Sequence, residues 1–94
     1  MADGLAYDDL DFWRTRAAEL QHALDSRVAI EQAKGVLAER YGCDVETAFA
    51  LLRAASRSHR VSLHRLAAQV RPRSATPPEI VAAVARTPLR AVAG

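Results

Sequence analysis

Cysteine occurs once, at Cys43, which excludes an internal disulfide and any metal site built on a cysteine cluster. Aromatic side chains number five. With alanine abundant between Arg, Glu and Leu, that scarcity favours helices over sheets. Long apolar runs are missing as well, and the opening Met1-Ala-Asp-Gly-Leu5 has none, so neither a signal peptide nor a membrane span is expected and the chain reads as cytoplasmic. No glycine-rich phosphate loop is present, and no Ser or Cys stands with an evident base and orienting group. His22, His59 and His64 lack cysteine or carboxylate partners at ligand spacing, with His22 expected on the exposed side of a long helix. The sequence therefore points to no catalytic site, no metal and no cofactor. Cys43, just before a helix start, has two readings, a thiol with a lowered pKa or a structural thiol.

What is present bounds the rest. The 94 residues, half of them apolar, suffice for one small domain with modest burial, whose stability would gain from oligomerisation. The net charge of +2 hides an asymmetry: residues 1–26 carry six acids against Arg14 and Arg16, about −4, whereas 27–73 carry nine bases against Glu31, Glu39, Asp44 and Glu46, about +5. A basic globule suits an anionic partner such as nucleic acid, although a solvated surface has the same composition.

In chain order, residues 1–7 lack periodicity and are expected to be a disordered leader, after which Asp8 or Asp9 can cap a helix. Leu10, Trp13, Ala17, Leu20 and Leu24 follow at alternating spacings of three and four, a coiled-coil seam over 8–26. It spans barely two heptads, so pairing with a second chain and packing within the same chain both remain open. Arg27 would take the next seam position and ends the pattern. Ile30, Ala33, Leu37 and Tyr41 then share one face, and Tyr41-Gly42 stops the run. Gly35 lies mid-helix at a cost of about 1 kcal/mol relative to Ala, to be offset by a tight helix crossing or by a backbone that a ligand approaches. Arg27 and Lys34, seven apart, flank the stripe as snorkelling side chains or as fixed phosphate contacts.

Asp44 caps a second helix over about 45–57, with Val45, Ala48, Phe49, Leu52 and Ala55 at helical spacing and Arg53 and Arg57 on its margin. Arg60 lies just beyond, in the turn 58–62. Ser62 can cap a third helix bearing Leu63, Leu66, Ala67 and Val70. The segment 71–78 is a proline-broken linker, and Glu79 to Arg86 can form a short helix, packed or loose, within a tail over 71–94. The predicted class is all-α: a long N-terminal coiled-coil-forming helix continuing into a three-helix bundle, with a Pro-containing C-terminal tail.

Leu24-Asp-Ser-Arg27-Val-Ala-Ile30-Glu-Gln-Ala33-Lys34-Gly35-Val-Leu37, Tyr41-Gly42, Glu46-Thr-Ala48-Phe49-Ala-Leu-Leu52-Arg53 and Ser62-Leu63-His-Arg-Leu66-Ala67 together resemble the ANTAR domain of bacterial transcription antitermination regulators, over about residues 20–70. The resemblance implies a three-helix RNA-binding domain extended by a coiled coil that makes a homodimer. It implies binding to a leader transcript with tandem hairpins, whose hexanucleotide loops are each held by one protomer, and disfavours an overlapping terminator by population shift. Ala33, Lys34 and Gly35 match the most characteristic element, and Arg27, Arg53 and the turn before Leu63 match polar positions. Arg60 stands where a small polar residue such as Asn is frequent. A sensor or receiver protein is a further implied partner, because such a domain commonly precedes this one.

The residues fit that reading. RNA loops need donors and stacking surfaces, and phosphates need fixed positive charge. Arg27, Lys34, Gly35, Arg53, Arg57 and Arg60 form the expected RNA-binding set, and Leu10, Trp13, Ala17, Leu20 and Leu24 the dimerisation set. Tyr41 is the one candidate stacking aromatic of the domain, but its place in the Ile30–Leu37 stripe makes it core. Two rivals are a helix-turn-helix DNA-binding regulator, weakened by a short third helix poor in Asn and Gln, and a protein interaction module without nucleic acid.

Overall fold

The computed structural model describes the backbone of residues 2–88 and side chains from Asp9 onward; Met1 of the expected leader and 89–94 of the expected tail lie outside the described residues. Four helices follow in order, α1 (Ala2–Tyr41), α2 (Val45–His59), α3 (Leu63–Ala68) and α4 (Pro78–Arg86), with no strand among the described residues. The all-α class, with a long N-terminal helix running into shorter ones, is as the sequence indicates.

Short-range signals set most boundaries. α1 has no start at Asp8 or Asp9, because the backbone is already helical from Ala2 through the expected leader; acids near a helix N-terminus complement its dipole and do not interrupt it. Gly42, at φ +61°, ends α1 in the left-handed region, and the Cys43 N–H donates to the Ala38 carbonyl at 3.0 Å. Asp44 then caps α2 by accepting from the Thr47 N–H at 2.7 Å. α2 ends the same way, with Arg60 at φ 54°, ψ 40° and the Val61 N–H donating to the Ser56 carbonyl at 3.1 Å. The Ser56 hydroxyl also donates to the Val61 carbonyl, which ties the turn together. These bonds carry the helix to His59, two residues past the expected end at about 57. Ser62 caps α3 by accepting from the Arg65 N–H at 3.0 Å.

Arg60 is the only described non-glycine residue at positive φ, and this explains why Asn suits the position: its short side chain tolerates the left-handed region, whereas Arg is strained there. Arg60→Gly is accordingly expected to stabilise the fold by roughly 0.5–1 kcal/mol, a rise of about 2–8 °C in the thermal midpoint by circular dichroism. An unchanged or lower midpoint would show that the turn carries no strain.

Packing corrects the sequence reading in two places. α2 lies between α1 and α4, with α3 against α1 and α2, so its buried face is wider than one apolar stripe. Leu51, absent from the expected stripe, is fully enclosed, while Val45 is exposed. α4 packs against α2, and its Ile80 and Ala83 join the same core. The expected short helical tail is thus a fourth packed helix. Arg40 fixes the approach to it, donating to the Arg71 and Pro72 carbonyls at 3.0 and 3.1 Å and to the Thr76 hydroxyl at 2.8 Å.

Between Asp9 and Asp25, α1 contributes no residue to the core. Forty residues make a helix of about 60 Å, the molecule measures 67 × 25 × 22 Å, and every described residue from Asp9 to Asp25 is exposed. Leu10, Trp13, Leu20 and Leu24 are 56, 63, 56 and 60% exposed. Packing of the seam within the same chain is therefore ruled out among the described residues.

Candidate nucleic-acid interface

Helical spacing and the short Gly42–Asp44 connection bring the margins of α1 and α2 together, and two of the six expected RNA-binding residues meet there. The Lys34 ammonium lies 4.9 Å and the Arg53 guanidinium carbon 4.7 Å from the centre of the Phe49 ring. An aromatic face attracts a cation, so each contact contributes about 0.5–1 kcal/mol at a partly exposed site. Lys34 also pairs with Glu31 at 3.2 Å, one turn back on α1. With one carboxylate and two cations, the cluster keeps a net positive charge for an added anion, and Phe49, half-buried, supplies an aromatic edge.

Arg27, Arg57 and Arg60 are exposed, and their guanidinium groups have no hydrogen-bond or ion-pair partner among the described residues. Arg27 lies two turns before Lys34 on α1, and Arg57 one turn after Arg53 on α2. They extend the charged margin along the two helices. Arg40, by contrast, is occupied by the linker.

Gly35 is set apart from the Phe49 cluster. It lines an open groove with Gln32 and Val36 of α1 and Ala67, Ala68 and Arg71 beyond. A side-chain carbon added there would meet nothing within 4 Å beyond its chain neighbours and the backbone of its own helix. A tight helix crossing within the chain, one of the two reasons expected for this glycine, is thereby overturned: it is Ala33 that faces the core. Gly35→Ala should then stabilise the free protein by about 1 kcal/mol through helix propensity, measured by urea unfolding. A lower stability would mean that the open space at Gly35 is not real.

Phe49 is the residue that sequence reasoning assigned to the wrong place. Its helical spacing puts it in the core stripe of α2, just as the Ile30–Leu37 stripe puts Tyr41 in the core. Tyr41 is half-buried against the core, whereas Phe49 holds two cations. The signal available was Lys34 and Arg53 flanking the Ala48-Phe49 step, but only the fold joins α1 to α2.

The remaining reactive groups take no part. Burial, and then the charge of Asp44, push the Cys43 thiol up, so of its two readings the structural thiol stands and the lowered value does not; the side chain packs at the core margin. Asp44 itself lies below its ordinary 3.8, held down by hydrogen bonds from the Thr47 hydroxyl and N–H. His22 is exposed, yet its ring lies 5.0 Å from that of His64 on α3. No group of three or more His, Cys, Asp or Glu able to hold a metal occurs among the described residues. Nor is any described helix long and apolar enough to cross a membrane.

A family model described as the ANTAR domain matches residues 18–70. The chain belongs to the ANTAR domain family. No curated protein and no solved structure matches it. The family is one of RNA-binding antitermination regulators and is not enzymatic. The match starts inside the exposed half of α1 and stops at Val70, so the ANTAR domain includes α2, α3 and all six RNA-binding candidates, while α4 packs on it from outside the matched stretch. α3, at six residues, spans only about 9 Å, a poor recognition helix for a DNA groove.

Proposed function

We propose that two copies of this ANTAR chain, joined along Leu10, Trp13, Ala17, Leu20 and Leu24, bind adjacent hexaloop hairpins of a leader transcript in the cytoplasm and so prevent an overlapping terminator from forming. The observation that carries the reading is the meeting of Lys34 and Arg53 on Phe49, inside the family-matched region. Fixed charge beside an aromatic ring is what an RNA loop requires, since its phosphates need cations and its splayed bases need a surface to stack on. Arg27, Arg57 and Arg60 add backbone contacts along the same margin. Gly35 admits the RNA backbone on the neighbouring groove. The unpartnered seam supplies the second protomer, and a sensor or receiver protein delivers the signal.

The test is binding of the purified protein to a tandem hexaloop hairpin RNA, with the oligomeric state measured in the same buffer. Four or five phosphate contacts per protomer predict a log–log salt slope near −3 per hairpin, at about −0.7 per contact. Dimers binding tandem hairpins more tightly than single ones support the proposal. Monomers binding one hairpin overturn the dimer mechanism, and no hairpin binding at physiological salt overturns the RNA function.

A further inference from the structure

Lys34 is not an open phosphate contact. Its side chain is 18% exposed, walled by the Phe49 ring and covered by the Glu31 carboxylate at 3.2 Å, whereas Glu31 is 61% exposed. The anion already seated at the basic cluster is thus the chain's own. A Glu placed N-terminal to a Lys on a helix is a favourable pair, and on an open surface it would do no more than solubilise. Here the lysine is largely enclosed, so an incoming group must deal with Glu31 first.

Two parts of an RNA meet that carboxylate very differently. A phosphate oxygen only repels it, and must displace it from Lys34 to gain the cation. An unpaired base presents exocyclic N–H donors on its Watson–Crick edge, and a carboxylate accepts from such groups, as it does from the amino group of cytosine. Stacked and paired RNA hides those edges; a loop exposes them.

We propose that Glu31 is the selectivity residue of the Lys34–Phe49–Arg53 cluster: it disfavours bare phosphate backbone and accepts a hydrogen bond from the exocyclic amino group of an unpaired adenine, guanine or cytosine brought to Phe49. The inference rests on the RNA-binding reading above and gives that site its ligand, an amino-bearing loop base. Uracil, whose single ring N3–H is flanked by two carbonyl oxygens that repel a carboxylate, is disfavoured.

The experiment uses the full chain, wild type and Glu31→Gln, with two hairpins of identical stem, one with a six-nucleotide loop of A, G and C and one with an all-uridine loop. Glu31→Gln is expected to bind the uridine hairpin roughly fivefold tighter than wild type, the factor for removing one like-charge contact at about 4 Å in water. Affinity for the amino-bearing loop should not rise, so the ratio between the two RNAs falls by at least that factor. Glu31 is exposed and outside the core, and an unchanged thermal midpoint verifies that the fold is intact. Equal gains on both RNAs, or no change on either, overturn the inference while leaving RNA binding in place. A wild-type protein that binds neither hairpin overturns the RNA function and this inference together.

Discussion

Replacing Leu20 and Leu24 together by glutamate is expected to leave a folded monomer whose affinity for tandem hairpin RNA is lower by about two orders of magnitude, with single-hairpin affinity little changed. The expectation follows from where these side chains lie. Both are more than half exposed and belong to no part of the buried cluster, so charge there costs the bundle nothing. In a dimer each leucine removed from water stabilises by about 1.5–3 kcal/mol, and a seam of barely two heptads has few others to replace it. Four new carboxylates facing one another would add repulsion. Without the seam, the second hairpin no longer binds as an intramolecular event, and linkage of that kind raises affinity by roughly 10²–10⁴. Sedimentation and RNA titration of the same sample check both halves. A double variant that remains dimeric would remove the seam from the interface, and a monomer that keeps full tandem affinity would separate dimerisation from function.

The apolar stripe of Leu10, Trp13, Leu20 and Leu24 was legible as a periodic pattern on one helix, although its pairing is a proposal, and the caps were legible because each involves residues within five positions. Gly42, Asp44 and Ser62 act where their side chains or conformations require. Contacts between distant segments were not readable. The packing of α4 on α2 is one of these, and no spacing within α2 reports it; Leu51 itself, three residues from Ala48 and four from Ala55, lies on the buried face of α2. Arg40, which no sequence motif marks, fixes a linker some thirty residues away. Phe49 is the most instructive case for the site. One apolar residue at core spacing reads as core, and the cations that give it another role come from a different helix in Lys34 and from the next turn in Arg53. Charge composition located the basic half of the chain, while the fold decided which charges meet.

That meeting predicts a coupled loss. Lys34→Ala and Arg53→Ala are each expected to weaken hairpin binding by about ten- to a hundredfold, since a hydrogen bond from a charged group contributes roughly 1.5–3 kcal/mol. Helix content should stay the same, because neither Arg53 nor Lys34 belongs to the buried cluster. The double variant discriminates further. Both cations lie within 5 Å of one ring centre, so removing either frees Phe49 and changes the field felt by the other. Their effects should therefore fall short of adding, by about 0.5 kcal/mol or more. Arg27→Ala serves as the comparison, being two turns from Lys34 with no side-chain contact to it, and its effect should add to that of Arg53→Ala. Strict additivity of Lys34→Ala and Arg53→Ala would mean that the two residues touch separate phosphates, with Phe49 a spectator. Unchanged affinity on losing Lys34 would remove the cluster from the RNA interface altogether, and the search would turn to the groove beside Gly35.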